Sequence, residues 1–259
     1  MLRAATAVLC MAAFTLPAAA ADYVNVPGGS YSSVLPPDGK FAPAVVAAFR
    51  LRTLPVTNGE FLDFVRANPQ WARFRIASLF ADGQYLSHWA GPLSLGGAGR
   101  NQPVTHVSWF AAEAYCESEQ ARLPTWYEFE YAAASDESHA DARGDEAWRE
   151  HILDWYSRPS TTALPDVGST PKNFYGVYDM HGLIWEWVGD YAGLMISGDN
   201  RDQGDPDLLK FCGAGALSTQ DRENYAILMR VAMLSALKAA DTTANLGFRC
   251  AKGATGDGS

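Results

Sequence analysis

A chain of 259 residues that is 48% hydrophobic and 19% charged can bury a sizeable core, and its composition excludes a disordered or fibrous protein. Its net charge of −9 comes without a basic stripe and argues against a nucleic-acid partner, because phosphate binding needs a cationic face. The 23 Gly, 14 Pro and 8 Trp favour a loop-rich fold of short elements over a helical bundle.

The N-terminus has the make-up of a targeting segment. Arg3 gives a short positive start, and Ala4 to Leu16 form an apolar run too short to span a bilayer. Pro17 to Ala21 supply small residues for cleavage before Ala21 or Asp22. Residues 1–21 are therefore expected to be a signal peptide of the Sec type, since no twin Arg is present, and residues 22–259 a single domain. No later run approaches the roughly 18 apolar residues of a span, so the processed chain is expected in the periplasm, with no membrane association once the signal is cleaved. Removing Cys10 leaves Cys116, Cys212 and Cys250. An odd count in an oxidising compartment implies one bridge and one free thiol, with every pairing open on sequence alone.

The processed chain opens with Tyr23 to Val26, a strand closed by the Pro27-Gly28-Gly29 turn. Ser32 to Ala42 reads as a loop and Val45 to Leu51 as a strand. Thr57 and Glu60 have capping-box spacing, and Phe61, Leu62, Phe64 and Val65 form the apolar face of the helix that follows. Trp71 to Tyr85 reads as helical in part. His88 stands beside Trp89, but a lone His is more often a satisfied structural residue than a ligand. Gly96 to Gln102 is a Gly-rich loop without phosphate-loop spacing. Gln102 to Ser108 reads as a strand leading into a Ser108 cap, and Trp109 to Gln120 as a helix. Thr125 and Glu128 make a second capping box, for a helix from Trp126 to Ala134 in which Glu128 and Glu130 read as structural carboxylates. Ser135 to Glu150 is an acidic, solvated excursion, and Ile152 to Tyr156 a short strand or turn. Pro165 to Ser169 reads as a strand. Asn173 to Tyr191, NFYGVYDMHGLIWEWVGDY, sets Glu186 between Trp185 and Trp187, so the carboxylate needs a buried partner, expected among backbone amides. Asp199 to Asp207, DNRDQGDPD, fails the calcium-loop pattern because Arg201 and Gln203 occupy ligand positions.

Three stretches together resemble the formylglycine-generating enzyme (sulfatase-modifying factor) family. They are the Asn173 to Tyr191 run, the segment PVTHVSWFAAEAYCESEQARLPTWYEFEYAA from Pro103 onward, and the terminal ANLGFRCA from Ala244. The openings PGG at Pro27 and VTN at Val56 add to the likeness, which extends from about Tyr23 to Lys252. The resemblance implies an α+β fold of the formylglycine-generating-enzyme type, related to C-type lectins, loop-rich and with little regular secondary structure. It also implies a Cys116–Cys250 disulfide, with Cys212 left as the thiol. Family members carry a structural calcium around the Gly-Asn-Val-Trp turn; here Leu183 replaces the Asn.

The resemblance does not carry the family's oxidation chemistry over intact. Aerobic members bind Cu(I) through two cysteines, a soft pair suited to that ion. Lys210 to Ser218 falls at the family's RGGS strand, and Gly213 to Arg230 contains no Cys. Ser218 lies near the first cysteine position and Cys212 just before it. Formylglycine generation itself is therefore not expected, and copper and structural calcium are both without their usual ligands. The His-x3-His-x-Glu iron helix of the related sulfoxide synthases is absent from the five His. The exported subgroup that the chain resembles implies two kinds of function. One is oxidative maturation of a small peptide-like substrate, as in pyoverdine maturation. The other is a non-catalytic accessory role toward a periplasmic client protein, such as a copper nitrite reductase. In either case the expected site places Trp187 as a stacking wall, Asn245 and Arg249 as substrate-binding residues with Arg249 anchoring a carboxylate or phosphate, and Cys212 and Ser218 as the catalytic candidates.

Overall fold

A computed structural model describes residues 21–35, 42–157, 163–192 and 225–254. The expected signal peptide, the Asp199 to Asp207 loop and the Lys210 to Ser218 strand, with Cys212 and Ser218, lie outside these residues. The architecture is α+β, with short strands and helices joined by long turn-rich segments. Among the described residues, no helix is long and apolar enough to cross a membrane.

Strand β1 (Tyr23–Val26) pairs antiparallel with β4 (Phe49–Arg52), which pairs in turn with β7 (Ala251–Gly253). Between them, β2 (Gly29–Tyr31) pairs antiparallel with β3 (Ala44–Val46). Sequence pattern merges β3 and β4 into one strand, but they belong to different sheets. The Pro27-Gly28 turn needs glycine: Gly28 has φ +70°, and a Cβ there would sit 2.3 Å from the Val46 carbonyl oxygen.

Both capping boxes form. Thr57 accepts from the Glu60 amide and Glu60 accepts from the Thr57 amide at the start of α1 (Asn58–Ala67). Thr125 and Glu128 do the same for α3 (Trp126–Ala133). Ser108 caps α2 (Trp109–Ser118) by accepting from the Ala111 amide at 3.2 Å. The structural reading of the two α3 carboxylates fits their contacts. Glu128 also pairs with Arg122 at 2.6 Å, and Glu130 accepts from Tyr31 at 2.9 Å and from the Val34 amide at 3.0 Å.

Four segments depart from the expected elements. Ile152 to Tyr156 is neither strand nor turn but part of helix α4 (Glu146–Ser157). Its start is held by Asp145, whose Oδ1 accepts from the Ala147 and Trp148 amides at 2.8 and 3.2 Å; an acidic run read as solvent-facing conceals that cap. Trp71 to Tyr85 holds no α-helix: a single 3-10 turn, Pro69–Trp71, gives way to successive turns. Gln102 to Ser108 makes one isolated bridge, Thr57 with Pro103, because Pro103 lacks a donor and His106 has φ +52°. Pro165 to Ser169 is a turn, not a strand.

The core gathers around Trp89, Trp126 and Trp187 and the Phe49–Phe61–Phe248 group, all fully buried. The C-terminal segment threads through it. Strand β5 (Trp185–Glu186) pairs in parallel with β6 (Leu246–Gly247), and the Val56 amide donates to the Phe248 carbonyl at 3.0 Å. Gly247 is packed so closely that a Cβ would lie 2.3 Å from the Val104 carbonyl oxygen. The Cys116–Cys250 disulfide ties α2 to this segment, with the Cα atoms 5.5 Å apart. Helix α5 (Tyr225–Ser235) packs against α4.

Candidate functional site

The turn before β5 is fixed by two polar side chains. Asn173 Oδ1 accepts from the Tyr175 and Val177 amides at 3.1 and 2.9 Å, while its Nδ2 donates to the Ala132 carbonyl at 2.9 Å. Asp179, with φ +57°, accepts from the Gly168 amide and from the Thr170 amide and hydroxyl, the last two at 3.0 Å. These bonds explain why this stretch needs Asn and Asp where it has them: each side chain stands in for a strand partner. They also take up the carboxylate a cation would need, and Leu183 is buried apolar. The residues of this turn do not fit a calcium ion.

Glu186 is not held by backbone amides, as its sequence context suggested. Arg249 pairs with it through two bonds of 2.7 Å, from Nε to Oε2 and from Nη2 to Oε1, and both residues are fully buried. The remaining guanidinium hydrogens reach the Arg52, Thr53 and Tyr178 carbonyls. Arg249 is therefore a structural cation that ties three segments together, and no face of it is open to anchor a substrate. Trp187 is corrected in the same sense. Its ring is fully buried, its Nε1 donates to the Val107 carbonyl at 3.0 Å, and it packs on Tyr191 at 5.1 Å. It is a core residue, not the wall of a cleft. Asn245 lies at the edge of the same layer, its carbonyl accepting from the Trp185 amide at 2.8 Å.

What faces outward from this layer is a recess that, of the expected site residues within the described chain, Trp187, Asn245 and Arg249 do not line. Helix α3 supplies Trp126, Phe129 and Glu130, α4 supplies Trp155, the central stretch supplies Met180, His181 and Trp185, and α5 supplies Arg230. The Arg230 guanidinium lies 3.4 Å from the Phe129 ring centroid and donates to the Glu186 backbone carbonyl, which puts a cation beside the strand that carries the buried carboxylate. His181 donates from Nε2 to the Ala133 carbonyl at 2.8 Å. Burial, together with the nearby Arg230, lowers its pKa to about 4, so the ring is neutral near pH 7. Trp126 Nε1 is buried and finds no hydrogen-bond acceptor among the described residues. The recess leaves about 20 Å³ for the centre of a water molecule, room for water-sized groups and not for a side chain.

Sequence reading missed most of these residues. Trp155 sits on a helix that was read as a strand or turn, and Arg230 belongs to the Asn224-Tyr225-Ala226-x-x-Met229-Arg230 run, which resembled the exported subgroup but suggested no site role. The seven-residue spacing of Trp148 and Trp155 around Ile152, which suits one helical face, was the available signal.

His181 gives this layer a pH dependence. A base whose folded pKa lies below its unfolded value binds fewer protons in the folded state, so stability falls as pH drops from about 6.5 toward 4. The contribution is on the order of 3 kcal/mol. His88, lowered to about 4 by burial and by the neighbouring His106 and Arg73, acts in the same sense. Glu130, Glu113 and Asp190, all raised by burial, act in the opposite sense. His181→Gln keeps a donor for Ala133 but does not titrate. Urea titrations at pH 7.5 and 4.5 are expected to show a smaller loss on acidification for this variant than for the wild type. Equal losses would remove His181 from the account.

The two metal-binding possibilities raised by the sequence meet the same difficulty. Among the described residues, no group of three or more His, Cys, Asp or Glu is placed to hold a metal. Cys116 and Cys250 are taken up by the disulfide, which leaves Cys212 as the one remaining thiol after residue 21. After residue 21 the sequence therefore supplies no pair of thiolates for copper.

Comparison with known proteins agrees with the motifs. The family model for the sulfatase-modifying factor enzyme 1-like domain matches residues 12–254. An inactive Cα-formylglycine-generating enzyme 2 of Bos taurus is 28% identical over 287 residues, covering 89% of this chain and 88% of that one. A formylglycine-generating enzyme of Streptomyces coelicolor is 29% identical over 284 residues, covering 89% of each. Among solved structures, PvdO from Pseudomonas aeruginosa aligns over 89% of this chain and 94% of its own, at 19% identity and a TM-score of 0.49. The chain belongs to the sulfatase-modifying factor enzyme 1-like family and has its loop-rich α+β fold.

Proposed function

We propose that this member of the family is exported to the periplasm and oxidatively matures a peptide-like substrate, without the copper-cysteine chemistry of formylglycine generation. One observation carries the reading. Arg230, the neutral His181, Trp185 and the Trp126 Nε1 are gathered at one recess, bordered by the most specific stretch of the chain and tied through Arg230 to the Glu186 carbonyl. A cation beside aromatic walls suits a peptide carbonyl or carboxylate. The recess admits only a small polar group, so the rest of a peptide would lie on its open side. Cys212 is proposed as the reactive thiol and Ser218, six residues on, as the second catalytic candidate.

A second reading has specific support. The missing copper pair, and the likeness to a relative whose name states that it is inactive, both favour a non-catalytic factor that binds a periplasmic client during maturation. One genetic experiment separates the two. A deletion strain is complemented with wild type, with Cys212→Ala or with Arg230→Met, and its periplasmic peptides and proteins are compared by mass spectrometry. The enzymatic reading expects a mass change that wild type restores and Cys212→Ala does not, with the melting temperature of that variant within a few degrees of wild type. If Cys212→Ala complements fully while Arg230→Met does not, the protein is a binding factor. Thiol titration of the processed protein is expected to find one reactive thiol, lost in Cys212→Ala.

A further inference from the structure

The segment that defeated the helix expectation has an unusual surface. Between Asp63 and Asp82 the chain carries Arg66, Arg73 and Arg75 and no acidic residue, in a protein of net charge −9; Arg66 pairs with Asp63 at 2.8 Å, and Arg75 is the exposed cation beside the apolar side chains. The same segment exposes large apolar groups: Phe74 is 76% exposed, Leu79 74% and Phe80 38%. Phe74 and Leu79 project as tips. Ala72 and Ala81 are buried and staple the segment to the core, and the Tyr85 hydroxyl donates to the Trp71 carbonyl at 3.0 Å. Phe80 closes the base of the projection against Trp71 and Phe110, at 5.9 and 5.3 Å.

Phe74 is held outward at a conformational cost. Its φ is +68°, the left-handed region that a bulky residue rarely adopts. Arg73 fixes the arrangement: its guanidinium stacks 4.6 Å from the Phe74 ring centroid and donates to the Trp89 carbonyl. The strain brings no burial, because the ring faces solvent. Arg75 is exposed beside it.

We propose that this surface docks the protein onto an anionic lipid bilayer. Exposed aromatic and aliphatic tips suit insertion at the boundary between headgroups and acyl chains, and the neighbouring Arg75 suits a lipid phosphate. A protein partner would favour a contiguous packed patch over protruding tips. The sequence expectation of no membrane association after signal cleavage rested on spans and overall composition, neither of which registers a local patch. Docking of this kind would hold the protein at a membrane face while leaving the recess beside Trp185 and Arg230 to its own ligand, and it does not depend on what that ligand is.

The test is co-sedimentation with vesicles of phosphatidylglycerol and phosphatidylethanolamine, and with vesicles of phosphatidylcholine alone. Wild type, Arg75→Glu and the double variant Phe74→Gly/Leu79→Ser are compared in the same chain, so that any N-terminal contribution is common to all. Wild type is expected to bind the anionic vesicles, and each variant to bind them roughly tenfold more weakly. Phe74→Gly relieves the left-handed backbone, so the double variant is expected to melt no lower than wild type, which separates lost docking from lost folding. Wild-type binding to neither vesicle, equal binding to both, or variants that bind as wild type does would each overturn the proposal. If a co-purifying protein is lost from the double variant while the vesicles are ignored, the surface is a protein interface instead.

Discussion

Arg249→Met is expected to destabilise the protein by about 3–5 kcal/mol, since it leaves a buried carboxylate without its charge partner. Glu186 is fully buried and both its oxygens accept from this one guanidinium. The same guanidinium also satisfies carbonyls of residues 52, 53 and 178. A loss of this size is a large share of the stability of an ordinary domain, so the variant should unfold at markedly lower urea or fail to accumulate. Replacing both partners, Glu186→Leu with Arg249→Met, removes the unpaired charge and is expected to recover part of the loss, though the three carbonyls stay without donors. Equilibrium urea unfolding of the three proteins decides the matter. If Arg249→Met is as stable as wild type, the pair does not hold the β5–β6 layer together. Because Arg230 rests on the Glu186 carbonyl, the same variant should also disturb the recess, so its activity can be interpreted only under conditions where it is folded.

Loss of the Cys116–Cys250 bridge is expected to cost a similar amount. The bridged residues are 134 apart in sequence, and closing a loop of that length restricts the unfolded chain by about 5 kcal/mol in the chain-entropy model. The native contacts around it are dense. Both cysteines are fully buried, and the Ala251 and Arg122 backbones exchange two hydrogen bonds, of 2.7 and 3.0 Å, beside the bridge. Cys116→Ala/Cys250→Ala should therefore keep the fold at low temperature while its urea midpoint falls sharply. Wild type treated with a reductant should match the double variant. A reduced wild type that unfolds at the same urea concentration as the oxidised form would show that the bridge adds nothing.

Residue spacing alone was enough for the local features. Thr57 with Glu60, Ser108, and Thr125 with Glu128 each carry their helix start within four residues, because a cap is a contact between near neighbours. The Pro27-Gly28 turn was legible for the same reason: the left-handed angle at Gly28 is a property of one residue. The motif runs carried the family likeness, and that likeness implied both the α+β class and the cysteine pairing.

The tertiary structure decided everything that depends on which distant groups meet. Sequence showed that Glu186 needed a partner, but the partner lies 63 positions away, and only the parallel β5–β6 pairing brings Arg249 against it. That pairing turned Arg249 and Trp187 from expected ligand contacts into core residues. The recess draws on α3, α4, the central stretch and α5, and none of these segments records the others in its own pattern. The Phe74 surface is the converse case. A buried and an exposed Phe are the same letter in a sequence, and only the left-handed backbone and its Arg73 clamp show which way this one faces. Local chemistry is written in neighbouring residues; burial and pairing across the chain arise only when the chain closes on itself.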